Sequence, residues 1–179
     1  MRKSIIRIKG LGAVVWHVKH DLVHVLWGLV WIYILGDIWR GFTGKWIVTT
    51  AIFGSLIPDI DHFIYFFTYG KKDPYTKVMF TFLKGRQWRV LLTFLENNHK
   101  NNTNLSFHNY YTIAVLVSLC AFSYMYGWKF GVVLFGAMVI HFLYDIFDDL
   151  LYLGKVNPNW KRWGRAKRRT LTPAKEPSK

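Results

Sequence analysis

Four stretches of the chain are long and almost continuously apolar: roughly 13–36, 44–67, 107–127 and 129–151. As helices rising about 1.5 Å per residue, each covers the ~30 Å hydrocarbon core of a bilayer with little to spare. Between the second and third lies a different pattern over 69–106, where Val78, Phe80, Phe82, Leu83, Trp88, Val90, Leu91, Leu92, Phe94 and Leu95 are interrupted by Lys77, Lys84, Arg86 and Arg89. That segment is too broken to span, and it predicts one or two amphipathic helices at headgroup level, a platform on the membrane surface. The expected fold is all-α: an integral membrane bundle of four transmembrane helices with an interfacial segment between the second and third. Residues 13–154 form one membrane domain in this reading, flanked by basic tails at 1–12 and 155–179. Lys19 and Asp21 in the first stretch leave open a shorter membrane helix preceded by an interfacial turn.

Charge adds an orientation. The 179 residues carry 24 Lys+Arg against 10 Asp+Glu, a net +14, while 52% are apolar and 18% aromatic. A disordered basic protein is thereby excluded, because such chains lack apolar residues on this scale. Twenty of the positive residues fall in the N-terminal tail, the middle segment and the C-terminal tail, and only Arg40, Lys45 and Lys129 in the two short connections. By the positive-inside rule both termini face the cytoplasm. The run from Trp160 to Arg169 directly follows a span and is read as an anchor on anionic lipid headgroups rather than a nucleic-acid patch. Met1 to Lys9 begins positively but lacks a cleavage site, and is expected to remain in the mature protein. The one cysteine, Cys120, excludes an intramolecular disulfide framework and any cysteine-built zinc ribbon.

The candidate chemistry lies in polar residues that a membrane helix should not contain. All seven histidines (His17, His20, His24, His62, His99, His108, His141) and Asp59, Asp61, Asp145, Asp148 and Asp149 lie in or beside the spans. Such groups are costly in hydrocarbon and usually pair with one another or with an ion. With the topology above, all are expected at one level near the cytoplasmic face. His141 and Asp145 stand four apart on one helix face, as do His20 and His24. Pro58 loosens the backbone beside Asp59, Asp61 and His62. Imidazole with carboxylate suits zinc first, then manganese or iron, and the number of donors suits two or three ions. His17 and His20 are read as hydrogen-bonded to neighbouring carbonyls, and Asp148 and Asp149 as span caps or as groups orienting a ligand histidine.

Four motifs, His24-Val-Leu-Trp-Gly28, Gly54-Ser-Leu-Ile-Pro-Asp59-Ile-Asp61-His62, His99-Lys100 with Ser106-Phe107-His108, and His141-Phe-Leu-Tyr-Asp145, occur in that order over residues 20 to 150. In order and spacing they resemble the YdjM-like family of prokaryotic membrane-bound metal-dependent hydrolases, whose pattern is in turn similar to zinc-dependent phospholipase C and its nuclease relatives. The resemblance implies metal ligation by His24, Asp59, Asp61, His62, His99, His108, His141 and Asp145, and residence in a prokaryotic inner membrane. Where the family carries His-Arg-Gly and Thr-His-Ser, this chain has Lys100 after His99 and Asn109 after His108.

Metal-assisted hydrolysis of a lipid or isoprenoid phosphoester is the activity expected from this resemblance and location, with Asp61 or Asp148 as base or water holder. Lys100, Arg86 or Arg89 would receive the phosphate. The competing expectation is a non-catalytic protein, with a structural metal site or a His/Asp proton or ion relay, acting as an accessory subunit of a larger complex. The partners expected are membrane lipids, with anionic headgroups at the basic tails and no nucleic acid; the oligomeric state is not legible.

Overall fold

A computed structural model describes residues 12–40, 42, 44–98 and 105–161, with the side chains of 12–17, 96 and 97 left out of the description. The described residues form an all-helical fold, with no strand among them. In chain order they form α1 (Gly12–Ile38), α2 (Lys45–Leu56), α3 (Ile60–Phe67), α4 (Pro74–Lys84), α5 (Trp88–Asn98), α6 (Tyr110–Met125) and α7 (Lys129–Leu153). Single 3-10 turns lie at Ile57–Asp59 and Pro158–Lys161.

Among the described residues, three helical segments are long and apolar enough to cross a membrane: Val18–Ile38, Lys45–Phe67 and Lys129–Leu153. The fourth expected span differs. Its helix begins only at Tyr110 and has 16 residues, about 24 Å at 1.5 Å per residue. The reason is Asn109, which was expected inside the helix and instead caps it, its side chain accepting from the Thr112 N–H at 3.0 Å. The second span is also less regular than its composition suggests. Pro58 has no N–H to continue an α-helix, and the chain tightens into a 3-10 turn between α2 and α3. In the middle segment, where one or two amphipathic helices are expected, there are two short helices, α4 and α5. Asp73 caps α4 through the Tyr75 N–H, and Arg86, at φ 53°, turns the chain into α5.

The bundle is built around α7, against which α1, α2 and α6 pack. Its apolar core is thin. Leu35, Ile47, Ala51, Val132 and Val133 form one cluster where α1, α2 and α7 meet, and Leu116, Phe142 and Trp160 form another beside α6. Most large apolar side chains instead face outward, among them Leu22, Leu26, Tyr33, Phe53, Phe122 and Leu151. Apolar outside with imidazoles and carboxylates inside is the arrangement a lipid solvent favours, and it marks a membrane protein.

Small residues bring the backbones together. A Cβ on Gly54 would stand 2.7 Å from the Leu134 carbonyl oxygen and 2.9 Å from the Ala137 methyl, so α2 lies directly on α7. Gly54→Ala is expected to destabilise the protein by about 1–3 kcal/mol through this overlap. Gly36→Ala, at a helical position with nothing within 4 Å, serves as the control, and comparative unfolding in detergent checks both. Equal stability of the two variants would show that α2 and α7 are not in this contact.

The described residues that follow α7, up to Lys161, fold back onto the bundle. Gly154, in the left-handed region at φ 67°, ends α7 and reverses the chain, so that Asn157, Asn159 and Trp160 are buried. Trp160, expected as part of a lipid anchor, is only 2% exposed. Its indole N–H donates to the Asp149 carboxylate at 2.8 Å. Residues 162–179 and 1–11 lie outside the described residues.

Candidate metal centre

Five parts of the chain deliver polar side chains to one interior region. The first half of α1 supplies His20 and His24, one turn apart. The 3-10 turn supplies Asp59 and α3 supplies His62. The lead into α6 supplies His108, and the middle of α7 supplies His141 and Asp145. Their donor atoms form three overlapping groups, each within 4.8 Å: His20, His24 and Asp145; Asp59, His62 and His108; and His108, His141 and Asp145. His24 and His141 are each 1% exposed, and their rings stack with centroids 3.7 Å apart.

Hydrogen bonds decide which nitrogens are open. Beside the break after α2, the Ser55 carbonyl accepts from His141 Nδ1 at 2.6 Å. A carbonyl can only accept, so Nδ1 carries the proton, and in its neutral form the ring presents a lone pair at Nε2. That lone pair faces Asp145 Oδ2 at 3.2 Å and Asp59 Oδ1 at 3.7 Å. His108 repeats the pattern: Nδ1 lies 3.2 Å from the Asp61 carboxylate, and Nε2 points at Asp145 Oδ2, 3.6 Å away. Among the described residues His108 Nε2, His141 Nε2 and Asp59 Oδ2 are buried without a hydrogen-bond partner. Lone pairs facing carboxylates in a buried site repel unless a proton or a cation lies between them. The donor set fits a metal ion on this ground: the His108 and His141 rings are each fixed by an acceptor behind them, with carboxylates alongside.

Asp145 is the centre of the arrangement. Oδ1 faces His24 Nε2 at 3.4 Å and His20 Nε2 at 3.6 Å, while Oδ2 faces His108 and His141. Asp59 Oδ1 stands 3.8 Å from His62 Nε2, at the more open side.

Asp61 is placed differently from the expectation that it ligates metal or acts as base. Its carboxylate is 2% exposed and belongs to none of the three groups. Oδ1 accepts from the Tyr69 hydroxyl at 2.9 Å, and Oδ2 from the Phe107 N–H at 2.8 Å and from His108. Both oxygens are engaged in fixing the segment that carries His108. Tyr69 also accepts from the Ser106 N–H, and burial raises its phenol above the ordinary range, which keeps it a donor. The Asn159 amide donates to the His108 carbonyl at 2.8 Å, and Trp160 packs on the His108 ring. His108 is therefore held from three directions.

Asp148, the other expected base, lies half-buried on α7 outside the donor groups, and Asp149 ties down the chain after α7 through Trp160 and the Asn157 N–H. His99 and Lys100 lie outside the described residues, as does the side chain of His17. His20, read from the sequence as hydrogen-bonded to a carbonyl, has its Nε2 2.9 Å from His24 Nε2. The four-residue spacing of His20 and His24 was the available signal. Nothing in the sequence pointed to Asn159 or to Trp160, which sits in a basic run that resembles a surface anchor.

The donor groups open onto a cavity of about 450 Å³. Its polar wall contains His20, Asp59, His62, His108 and Asp145, and its apolar wall Phe63, Phe66, Tyr75, Met79, Leu95 and Leu105, with Trp160 at its side. The α4–α5 hairpin supplies the roof. No Lys or Arg lines it among the described residues, and Arg86 and Arg89 are exposed elsewhere on the hairpin, so neither is the phosphate receiver expected from the sequence. No family model, curated protein or solved structure matches this chain.

Proposed function

We propose that the protein is a membrane-embedded, metal-dependent hydrolase acting on a phosphoester of a lipid or a related amphiphile. The observation that carries the reading is the pair of open nitrogens, His108 Nε2 and His141 Nε2, aimed with Asp145 and Asp59 at one buried point beside an apolar-walled cavity. The ligands in this reading are His24, Asp59, His62, His108, His141 and Asp145. Imidazole nitrogen with carboxylate oxygen selects zinc ahead of the harder cations. A bound divalent metal supplies an acidified water and offsets negative charge on the phosphoryl oxygens.

The chain's own residues do the rest. Ser55 and Asp61 hold the His141 and His108 rings in the tautomer that turns Nε2 toward the site. Asp59, half-buried with one unsatisfied oxygen at the cavity wall, is the carboxylate placed to take a proton from water. Phe63, Phe66, Met79 and Leu95 exclude water and receive an acyl or prenyl chain. Since none of the described residues lining the cavity is cationic, neutralisation of the phosphate falls to the metal in this reading.

The topology belongs to the same proposal. We take α6 as a fourth crossing, since it packs antiparallel along α7 and turns Val115, Val117, Leu119 and Phe122 outward. Its 16 residues are extended by Phe107 on one side and by Tyr126 and Trp128 on the other, aromatic residues suited to the interface. Four crossings put both termini and the α4–α5 hairpin on one side, and the count of positive residues makes that side the cytoplasm of a prokaryotic inner membrane, the location that the resemblance to YdjM-like hydrolases implies.

Protein purified in detergent and assayed on phosphoesters in mixed micelles tests the activity. Turnover is expected on substrates bearing an apolar chain, to be abolished by a chelator and restored by zinc. Stoichiometric metal with no turnover on any of them overturns the hydrolase in favour of a structural metal site.

A further inference from the structure

We propose that His20 is a metal ligand, forming with His24 and Asp145 a second cation position on the opposite side of the Asp145 carboxylate from His108 and His141. The inference rests on the metal-centre reading above and deepens it: it adds a ligand and fixes the number of ions at two.

The carboxylate carries the argument. Each oxygen of Asp145 faces its own pair of imidazoles: Oδ1 faces His20 and His24 at 3.6 and 3.4 Å, and Oδ2 faces His108 and His141 at 3.6 and 3.2 Å. Two ligand atoms about 2.0–2.1 Å from one tetrahedral zinc stand about 3.3 Å apart. The separations around each oxygen match that spacing, on both sides. His20 Nε2 and His24 Nε2 close the third edge of their group at 2.9 Å, both nitrogens turned to the same carboxylate oxygen. A carboxylate with nitrogen pairs on both oxygens is arranged to bridge two cations, and a single ion on Oδ2 would leave the His20–His24 pair facing Oδ1 without one.

The number follows from His108. It belongs to two of the donor groups, with Asp59 and His62 and with His141 and Asp145, but its Nδ1 is occupied by Asp61. One open nitrogen serves one ion. Those two groups therefore surround a single cation, and the His20 group holds the other. His20 lines the cavity wall, whereas His24 lies behind it, so the second ion also borders the space a substrate would occupy.

The test is metal content rather than activity. Purified protein equilibrated with zinc and freed of excess is expected to hold about two ions per chain by elemental analysis. His20→Ala, a substitution a helix accepts readily, is expected to hold about one while the metal-free protein melts as wild type does. Wild type holding one ion, with His20→Ala holding one or none, overturns the second position, and so does His20→Ala retaining two. Wild type holding none overturns the metal reading on which this rests. Two ions without turnover would leave the inference standing and remove only the hydrolase.

Discussion

Asp145→Ala is expected to strip the protein of bound metal and to lower phosphoester turnover by at least about 10³-fold. Asp145 faces His20, His24, His108 and His141, and no other carboxylate among the described residues touches more than two of these rings. A catalytic metal contributes several kcal/mol, and a loss of about 4 kcal/mol corresponds to 10³ in rate at about 1.36 kcal/mol per tenfold. The fold should survive. Buried imidazoles left without a carboxylate favour the neutral form, so no uncompensated charge is created, and alanine extends α7 without strain. Elemental analysis and turnover on a micellar phosphoester, with circular dichroism as the folding control, check the prediction. A variant with undiminished metal would remove Asp145 from the centre.

Substitutions at Asp61 should separate support from ligation. Asp61→Ala removes the acceptor shared by three donors, the Tyr69 hydroxyl, the Phe107 N–H and the His108 Nδ1–H. At about 1–3 kcal/mol for each buried unsatisfied donor, a destabilisation of about 3–5 kcal/mol is expected, measurable by unfolding in mixed micelles. Asp61→Asn keeps the volume but exchanges one accepting oxygen for an N–H that meets another donor. It should fold, and its zinc affinity should fall about 10–100-fold, the usual cost of losing the acceptor behind a ligating histidine. Competition against a chromophoric chelator reads that change. If Asp61→Asn lost one whole ion rather than affinity, Asp61 would be a ligand after all.

The two residues show how far sequence reasoning reached. Asp59, Asp61 and His62 form one motif, and nothing in a three-residue spacing tells which carboxylate faces the ion. The structure separates them because the tight turn at Pro58 points Asp59 toward α7 and leaves Asp61 against the lead into α6. His20 and His24 had the same ambiguity: the spacing placed them on one face of α1, and only the position of α7 aimed that face at Asp145. Trp160 was the plainest misreading. Its neighbours are basic, so composition suggested a surface anchor, yet Asp149 offers a buried acceptor that its indole N–H fills.

What the sequence by itself determined is what a lipid solvent enforces locally. Long apolar stretches must be helical there, because no water is present to satisfy a bare backbone, and the rarity of His and Asp in such stretches marks them as a set. What only the tertiary structure decided is direction. Whether a histidine presents a lone pair or an N–H depends on the group behind it, and for His141 and His108 that group comes from elements 86 and 47 residues away. No spacing along one helix encodes a partner on another, so the choice between ligand and support was made when α2, α6 and α7 packed together.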